Sequence, residues 1–276
     1  SFDNRTSYTH LRYLAHAFQV TGDQRFRDGA IRGLEFVLSA ESPSGGWPHS
    51  FPRTGAYYRH ITFMDDVTIG VLSVLREAAQ GTEPFAFLSP SLRDRCSQAV
   101  ASGTSLLLQL QVDIDGRRTI WAGQYDEKTL APCAARTFEP PALAGAESVN
   151  VIQYLMEIPS PTPQIIAAVE SAVAWYKEHP VRGVRIEKIN APAERFTEHT
   201  SQFELIQVDD PNAPLLWARF YDLKTEKPLL CDRDGRIVDR LEKLSRERRT
   251  GYRWFGDFAQ DLLDRDYQTW KSGVAR

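Results

Sequence analysis

A pair of amphipathic helices followed by a long polar loop recurs three times along this chain, with a period of about 70 residues. In the first pair, Leu11, Leu14, Ala15 and Phe18, then Phe26, Ala30, Leu34 and Val37, fall at helical spacing. The second pair carries Val67, Val71, Val74, Leu75 and Ala78, then a stripe from Leu92 and Cys96 through Leu106, Leu107 and Leu110. That stripe opens at Ser89-Pro90, a cap residue followed by proline at the first helical position. The third pair holds Ile152, Leu155 and Met156, then Ile165, Ala168, Val169, Ala172 and Tyr176 behind Thr162-Pro163. A helix with one apolar stripe must bury it against a neighbour, so each pair is predicted to close as a hairpin. Three hairpins side by side would gather their loops at one end, where function is expected.

Beyond residue 180 the helical period decays into short apolar runs such as Leu215-Leu216-Trp217 and Phe220-Tyr221, which read as brief strands. A last helix is expected around Phe258, Leu262 and Leu263. No Gly/Ser linker interrupts the chain, so residues 1–276 are read as a single domain with two lobes, about 1–180 helical and 181–276 mixed. A length of 276 residues is ample for a real core.

A net charge of −3 argues against a domain-wide basic face, so nucleic acid is not expected as a partner. Any acidic ligand must be met by local clusters of arginine. No apolar run is long enough to span a bilayer, so no membrane association is expected, and the lack of a signal peptide ahead of Ser1 is uninformative. Cys96, Cys133 and Cys231 form no CxxC pair; three buried free thiols are favoured over one disulfide. The six histidines show no metal-ligand spacing, and GxGxxG, P-loop, HExxH and GxSxG motifs are absent.

Dense polar and aromatic loops remain. Asp65-Asp66 opens the third helix, either as simple capping or as oxygen donors for a hard cation. Arg136 lies close before Pro140-Pro141, which forbid helix, and is placed either in a surface ion pair with Glu139 or in a site. Asp232-Arg233-Asp234-Gly235 lacks the later acids of a calcium loop and reads as a turn. Trp47, Trp121 and Trp217 suit either sugar stacking or core packing.

Taken in register, these clusters resemble polysaccharide lyase family ten, the pectate lyases. The resemblance runs over nearly the whole chain through Asp3-Asn4 with Tyr8-Thr9, Gly45-Gly46-Trp47-Pro48, His60-Ile61-Thr62-Phe63 and Asp65-Asp66. It continues in Gln124-Tyr125-Asp126, Ala135-Arg136 with Phe138-Glu139, Ala218-Arg219-Phe220-Tyr221 and Arg248-Arg249-Thr250-Gly251-Tyr252. It implies a mainly α fold, an incomplete (α/α)3 toroid of helical hairpins whose short strands and long loops form an open substrate groove. It also implies a secreted or periplasmic monomer that cleaves polygalacturonate by calcium-assisted β-elimination. Arg136 then matches the base, Asp65 and Asp3 the calcium acids with Asp66 beside them, and Arg219 a clamp on the substrate carboxylate. Trp47, Tyr58, His60, Tyr125 and Glu139 are expected to meet the sugar chain. The family's pattern usually has Asn where this chain has Met64.

Elimination needs a base and charge stabilisation but no nucleophile, which fits the missing hydrolase motifs. Two other readings remain open on sequence alone. A glycoside hydrolase on a helical toroid would use carboxylates such as Asp65 and Asp126 as acid and base. A non-catalytic domain would bind acidic polysaccharide without turning it over.

Overall fold

A computed structural model describes residues 1–53 and 55–274. Helix accounts for 47% of the chain and strand for 18%, with no closed barrel, so the chain is mainly α. All three expected hairpins form: α1 (Thr6–Thr21) with α2 (Gln24–Ser39), α3 (Val67–Gln80) with α4 (Pro90–Leu110), and α5 (Glu147–Met156) with α6 (Pro163–Glu178). The caps do what their sequence implies. Ser89 Oγ accepts the Leu92 N–H at 3.3 Å and Thr162 Oγ1 accepts that of Ile165 at 3.3 Å.

Contacts divide the chain into two compact units: Ser1–Leu110 with Gln124–Ala131, and Gln111–Gly123 with Pro132–Arg276. The division thus falls after the second hairpin and not near residue 180. In the first unit α1 packs on α3 and α2 on α4. Its core is filled by Leu11, Leu34, Val37, Leu72, Leu75 and Leu106, all buried. Tyr125, returning after α4, pairs with Ile61 and donates its hydroxyl to the Leu110 carbonyl at 2.7 Å, closing α4's last turn.

The second unit packs α5 against α6 and then turns to strand. Trp217–Ala218 and Phe220–Tyr221 are brief strands, as expected, paired with Phe255–Gly256 and Leu143–Ala144. A long antiparallel hairpin of Val184–Arg195 with Thr200–Asp209 was not legible. Most of its residues are at least partly exposed and a bulge between Asn190 and Glu194 shifts the register, so the apolar alternation that marks a strand is broken. Asp232-Arg233-Asp234-Gly235 is the expected turn: the Gly235 N–H reaches the Asp232 carbonyl at 2.9 Å and Gly235 has φ +85°. The three cysteines form no disulfide; Cys96 and Cys231 are buried and Cys133 is partly exposed. The chain closes on α7 (Arg246–Gly251), a π-helical turn at Leu262–Asp266 and α8 (Tyr267–Val274). Among the described residues no helix is long and apolar enough to cross a membrane.

One device occurs twice. Trp121-Ala122-Gly123-Gln124-Tyr125-Asp126-Glu127-Lys128-Thr129 and Trp217-Ala218-Arg219-Phe220-Tyr221-Asp222-Leu223-Lys224-Thr225 end in the same turn. Asp126 Oδ1 takes the N–H groups of Lys128 and Thr129 and the Thr129 hydroxyl. Asp222 Oδ1 takes those of Lys224 and Thr225 and the Thr225 hydroxyl.

Candidate active site

In the first unit, two turns of one shape launch the opening helices of both hairpins. Phe2 (φ −100°, ψ −8°) is followed at Asn4 and Arg5 by left-handed backbone (φ 51° and 61°). Phe63 (φ −100°, ψ −13°) is followed at Asp65 and Asp66 by the same pair of angles, 52° and 61°. Residues with a β-carbon at positive φ cost on the order of 1 kcal/mol each, a strain that Asn and Asp bear best. The turns adjoin, and Arg5 Nη2 donates to Asp66 Oδ2 at 2.8 Å. Asp3, Asn4, Asp65 and Asp66 therefore gather on neighbouring turns. Asp66 stands at the cap position of α3 and makes no side-chain cap bond there.

The donors on these turns are all oxygen, the set a hard cation prefers. Asp66 is bonded to Arg5. Among the described residues no group of three or more His, Cys, Asp or Glu side chains is placed to hold a metal by itself. Tyr8 is buried with its ring tip against Gly70 of α3, where a β-carbon would lie 2.2 Å from Cζ. Burial first, and then the charge of Asp66, push the Tyr8 hydroxyl up to about 12, so it stays protonated beside the acids.

The aromatic side chains expected on the sugar divide sharply. Trp47 is fully buried with its indole N–H on the Val37 carbonyl at 2.9 Å, and Tyr125 is equally buried. Trp121 and Trp217 are buried too, so all three tryptophans serve the core and Trp47 and Tyr125 do not face a ligand. Tyr58 is exposed and stacks on Tyr57 at 4.2 Å. His60 lies close by, its Nδ1 3.6 Å from Asp126. Bonds from the Thr129 and Lys128 N–H groups hold the Asp126 carboxyl below its usual range. That suits a carboxylate that stays ionised and is the wrong direction for a general acid.

In the second unit, Arg136 does pair with Glu139, but not at the surface. Nε and Nη2 of Arg136 meet Glu139 Oε2 and Oε1 at 2.7 and 2.5 Å, and the Arg136 N–H adds a bond at 3.1 Å. Glu139 is 4% exposed, whereas the Arg136 side chain is 44% exposed. The carboxylate expected to touch sugar is instead turned inward to hold the arginine. Burial would raise its pKa, but the bonds from Arg136 and from the Tyr252 hydroxyl (2.7 Å) outweigh this and lower it. Arg219 is likewise bonded to buried Glu147 at the start of α5, and its guanidinium carbon lies 4.5 Å from the centre of the Tyr252 ring. Gly145 makes this possible: a β-carbon there would sit 2.3 Å from the Ala218 carbonyl, so only glycine lets the strands on either side approach.

Two further arginines crowd the same rings. Arg136, Arg233 and Arg248 lie 4.7, 5.1 and 4.2 Å from the centre of Phe138. Glu247 bonds both Arg233 and Arg248, and the Arg233 bond above all lowers its pKa to about 2. Four guanidinium groups thus gather around two aromatic rings, paired with Glu139, Glu147 and Glu247. Glu147 was not singled out from sequence, since an acid in the first turn of a helix reads as capping, and Tyr252 was quoted only as part of a motif, with no role.

The sequence model of a family described as pectic acid lyase matches residues 1–263. No curated protein matches the chain. Among solved structures, a family 10 polysaccharide lyase from Cellvibrio cellulosa is 30% identical, with a TM-score of 0.85 over 99% of this chain and 80% of that one. A mutant of that lyase in complex with trigalaturonic acid matches with a TM-score of 0.83 at 30% identity, over 95% and 79% of the two chains.

Proposed function

From the premise that this chain belongs to the pectic acid lyase family and is a polysaccharide lyase, we propose that it cleaves polygalacturonate by calcium-assisted β-elimination. The observation that carries the substrate class is the arginine nest, four guanidinium groups on two aromatic rings, at least one of them half exposed. A chain bearing a carboxylate on every sugar is the ligand such a nest fits. The related lyase's complex with trigalaturonic acid points the same way.

In the reaction, the proton beside the sugar carboxylate leaves, its electron pair forms a carbon–carbon double bond, and the neighbouring carbon–oxygen bond breaks, its pair going to the glycosidic oxygen, which takes a proton from water. Arg136 takes the proton. Its fork to Glu139 fixes the guanidinium, and only the neutral form can accept the proton. At an ordinary arginine pKa of about 12.5–13.8 that form is a fraction on the order of one in a million at pH 7, so turnover should rise with pH. Arg219, seated on Glu147 and Tyr252, grips a substrate carboxylate with a planar fork. Asp3 and Asp65 would hold calcium together with a carboxylate of the substrate, which supplies Lewis-acid relief of the charge building there. With only these two acids on offer, a carboxylate of the substrate would have to complete the coordination. A polymer of this kind is met outside the cytoplasm, and action as a secreted or periplasmic monomer follows from the same reading.

The deciding experiment is the ultraviolet absorbance of unsaturated product from polygalacturonate, with calcium and after exhaustive chelation. Unsaturated product that needs calcium supports the proposal. Saturated product formed in chelator would replace lysis with hydrolysis.

A further inference from the structure

We infer that Tyr252 is the positioning residue that seats both arginines of the site, Arg136 through a hydrogen bond to Glu139 and Arg219 through the face of its ring. The inference rests on the lyase reading for what those arginines do, and on the structure alone for how they are held.

A carboxylate has about four lone-pair sites, and Glu139 has all of them engaged. Oε1 accepts Arg136 Nη2 at 2.5 Å and the Tyr252 hydroxyl at 2.7 Å. Oε2 accepts Arg136 Nε at 2.7 Å and the Arg136 N–H at 3.1 Å. The only one of these four bonds that comes from outside the Arg136–Glu139 loop is the one from Tyr252. It pins the rotation of the carboxylate, and through it the plane of the Arg136 fork. The other side of the device is the ring: its centre is 4.5 Å from the Arg219 guanidinium carbon.

Tyr252 can act this way because it is itself fixed. Its ring stands edge-on to Trp254 at 4.9 Å and to Phe138 at 5.5 Å, and stacks with Phe220 at 6.2 Å. Trp254 is anchored by its indole N–H on the Arg248 carbonyl at 3.0 Å. Aromatic neighbours alone would suit phenylalanine equally well. The hydroxyl is what reaches the carboxylate, and it reaches the oxygen that also holds Nη2. Misplacing a reacting group by about an ångström can cost a hundredfold in rate, so a locked fork has a kinetic consequence.

Tyr252→Phe keeps the ring and removes the hydroxyl, which separates the two halves. On polygalacturonate, kcat should fall about tenfold while KM stays within about twofold, since Arg219 keeps its seat. In nitrogen-resolved NMR, the Arg136 Nε–H, assigned by its loss in Arg136→Lys, should exchange with solvent at least about tenfold faster, and the Arg219 Nε–H should not change. An unchanged kcat with unchanged Arg136 exchange overturns the inference, as does a rise in KM at constant kcat. Glu139→Gln provides an independent check: it removes the charge through which Tyr252 acts and should lower kcat at least as much. Wild-type kcat in Glu139→Gln would also overturn it. If the wild-type protein makes no unsaturated product, the lyase reading fails, and the exchange rates still decide whether Tyr252 seats Arg136.

Discussion

Arg5 and Asp66 meet at 2.8 Å across 61 residues of sequence, joining one left-handed turn to the other. The Arg5 side chain is 68% exposed, so the pair adds at most about 1 kcal/mol to stability. Its consequence lies in geometry. Arg5→Ala should leave the thermal midpoint nearly unchanged and weaken calcium binding, read by titration calorimetry in the presence of trigalacturonate. Asp65→Ala should abolish turnover without unfolding. Wild-type calcium affinity in both variants would move the cation away from these turns.

Arg136→Ala should remove essentially all elimination while polygalacturonate still binds. In Arg136→Lys the new amine has a lower ordinary pKa, near 10.4, and hence about a hundredfold or more of the neutral form at a given alkaline pH. Lysine nevertheless loses the fork to Glu139, and severe loss is expected with any residual activity shifted toward lower pH. An Arg136→Ala enzyme retaining more than about a tenth of wild-type turnover places the base elsewhere, since a positioned base contributes about a hundredfold or more.

For Arg219→Lys, a point charge replaces a planar fork resting on the Tyr252 ring. Substrate engagement should weaken by roughly 1.5–3 kcal/mol, seen as a raised KM. Wild-type efficiency in this variant would show that Arg219 does not touch the polymer.

Acid should act through Glu247. Its folded pKa, about 2, lies below the ordinary value of 4.5, chiefly because of the bond from Arg233. The sign follows: this stabilisation is complete above pH 4.5 and is lost as pH falls through the window down to about 2. Glu247→Gln should therefore melt lower than wild type at pH 6, with the gap between them closing as pH approaches 2. A gap that stays constant across this window would mean the ion pairs contribute nothing measurable.

Gly70→Ala should reverse the usual helix preference. In an open helix the change gains roughly 0.5–1 kcal/mol. Here the new methyl would sit 2.2 Å from Tyr8 Cζ, and overpacking should cost about 1–3 kcal/mol in urea melts. Shortening Tyr8 to Leu in the same chain should recover part of that loss; strict additivity of the two changes would contradict the contact.

The helical hairpins were legible because their period and their Ser-Pro and Thr-Pro openings are local properties of the chain. The acid turn and Arg136 were legible as clusters, but their geometry was not. Left-handed backbone at Asn4, Arg5, Asp65 and Asp66 is imposed by packing around the turns, and no glycine announces it. Trp47 reads as a loop residue beside glycines, yet its indole finds a carbonyl ten residues back on α2 and is drawn inside. Glu139 and Glu147 look like ordinary surface acids until the fold buries them under arginines that lie far away in sequence or, for Arg136, on a proline-bounded loop.

The twice-used Trp-Ala-x-x-Tyr-Asp-x-Lys-Thr segment bears on how such a chain can change. Both copies have the same buried tryptophan and the same aspartate-bound turn, so the backbone between these anchors is set independently of what it carries. At the third position one copy has Gly123 and the other Arg219. The segment behaves as a standard fitting into which different tools can be placed. Its folding instructions and its chemical instruction reside in separate letters of the same short word, so a new side chain can be tried at that third position without rewriting the mount.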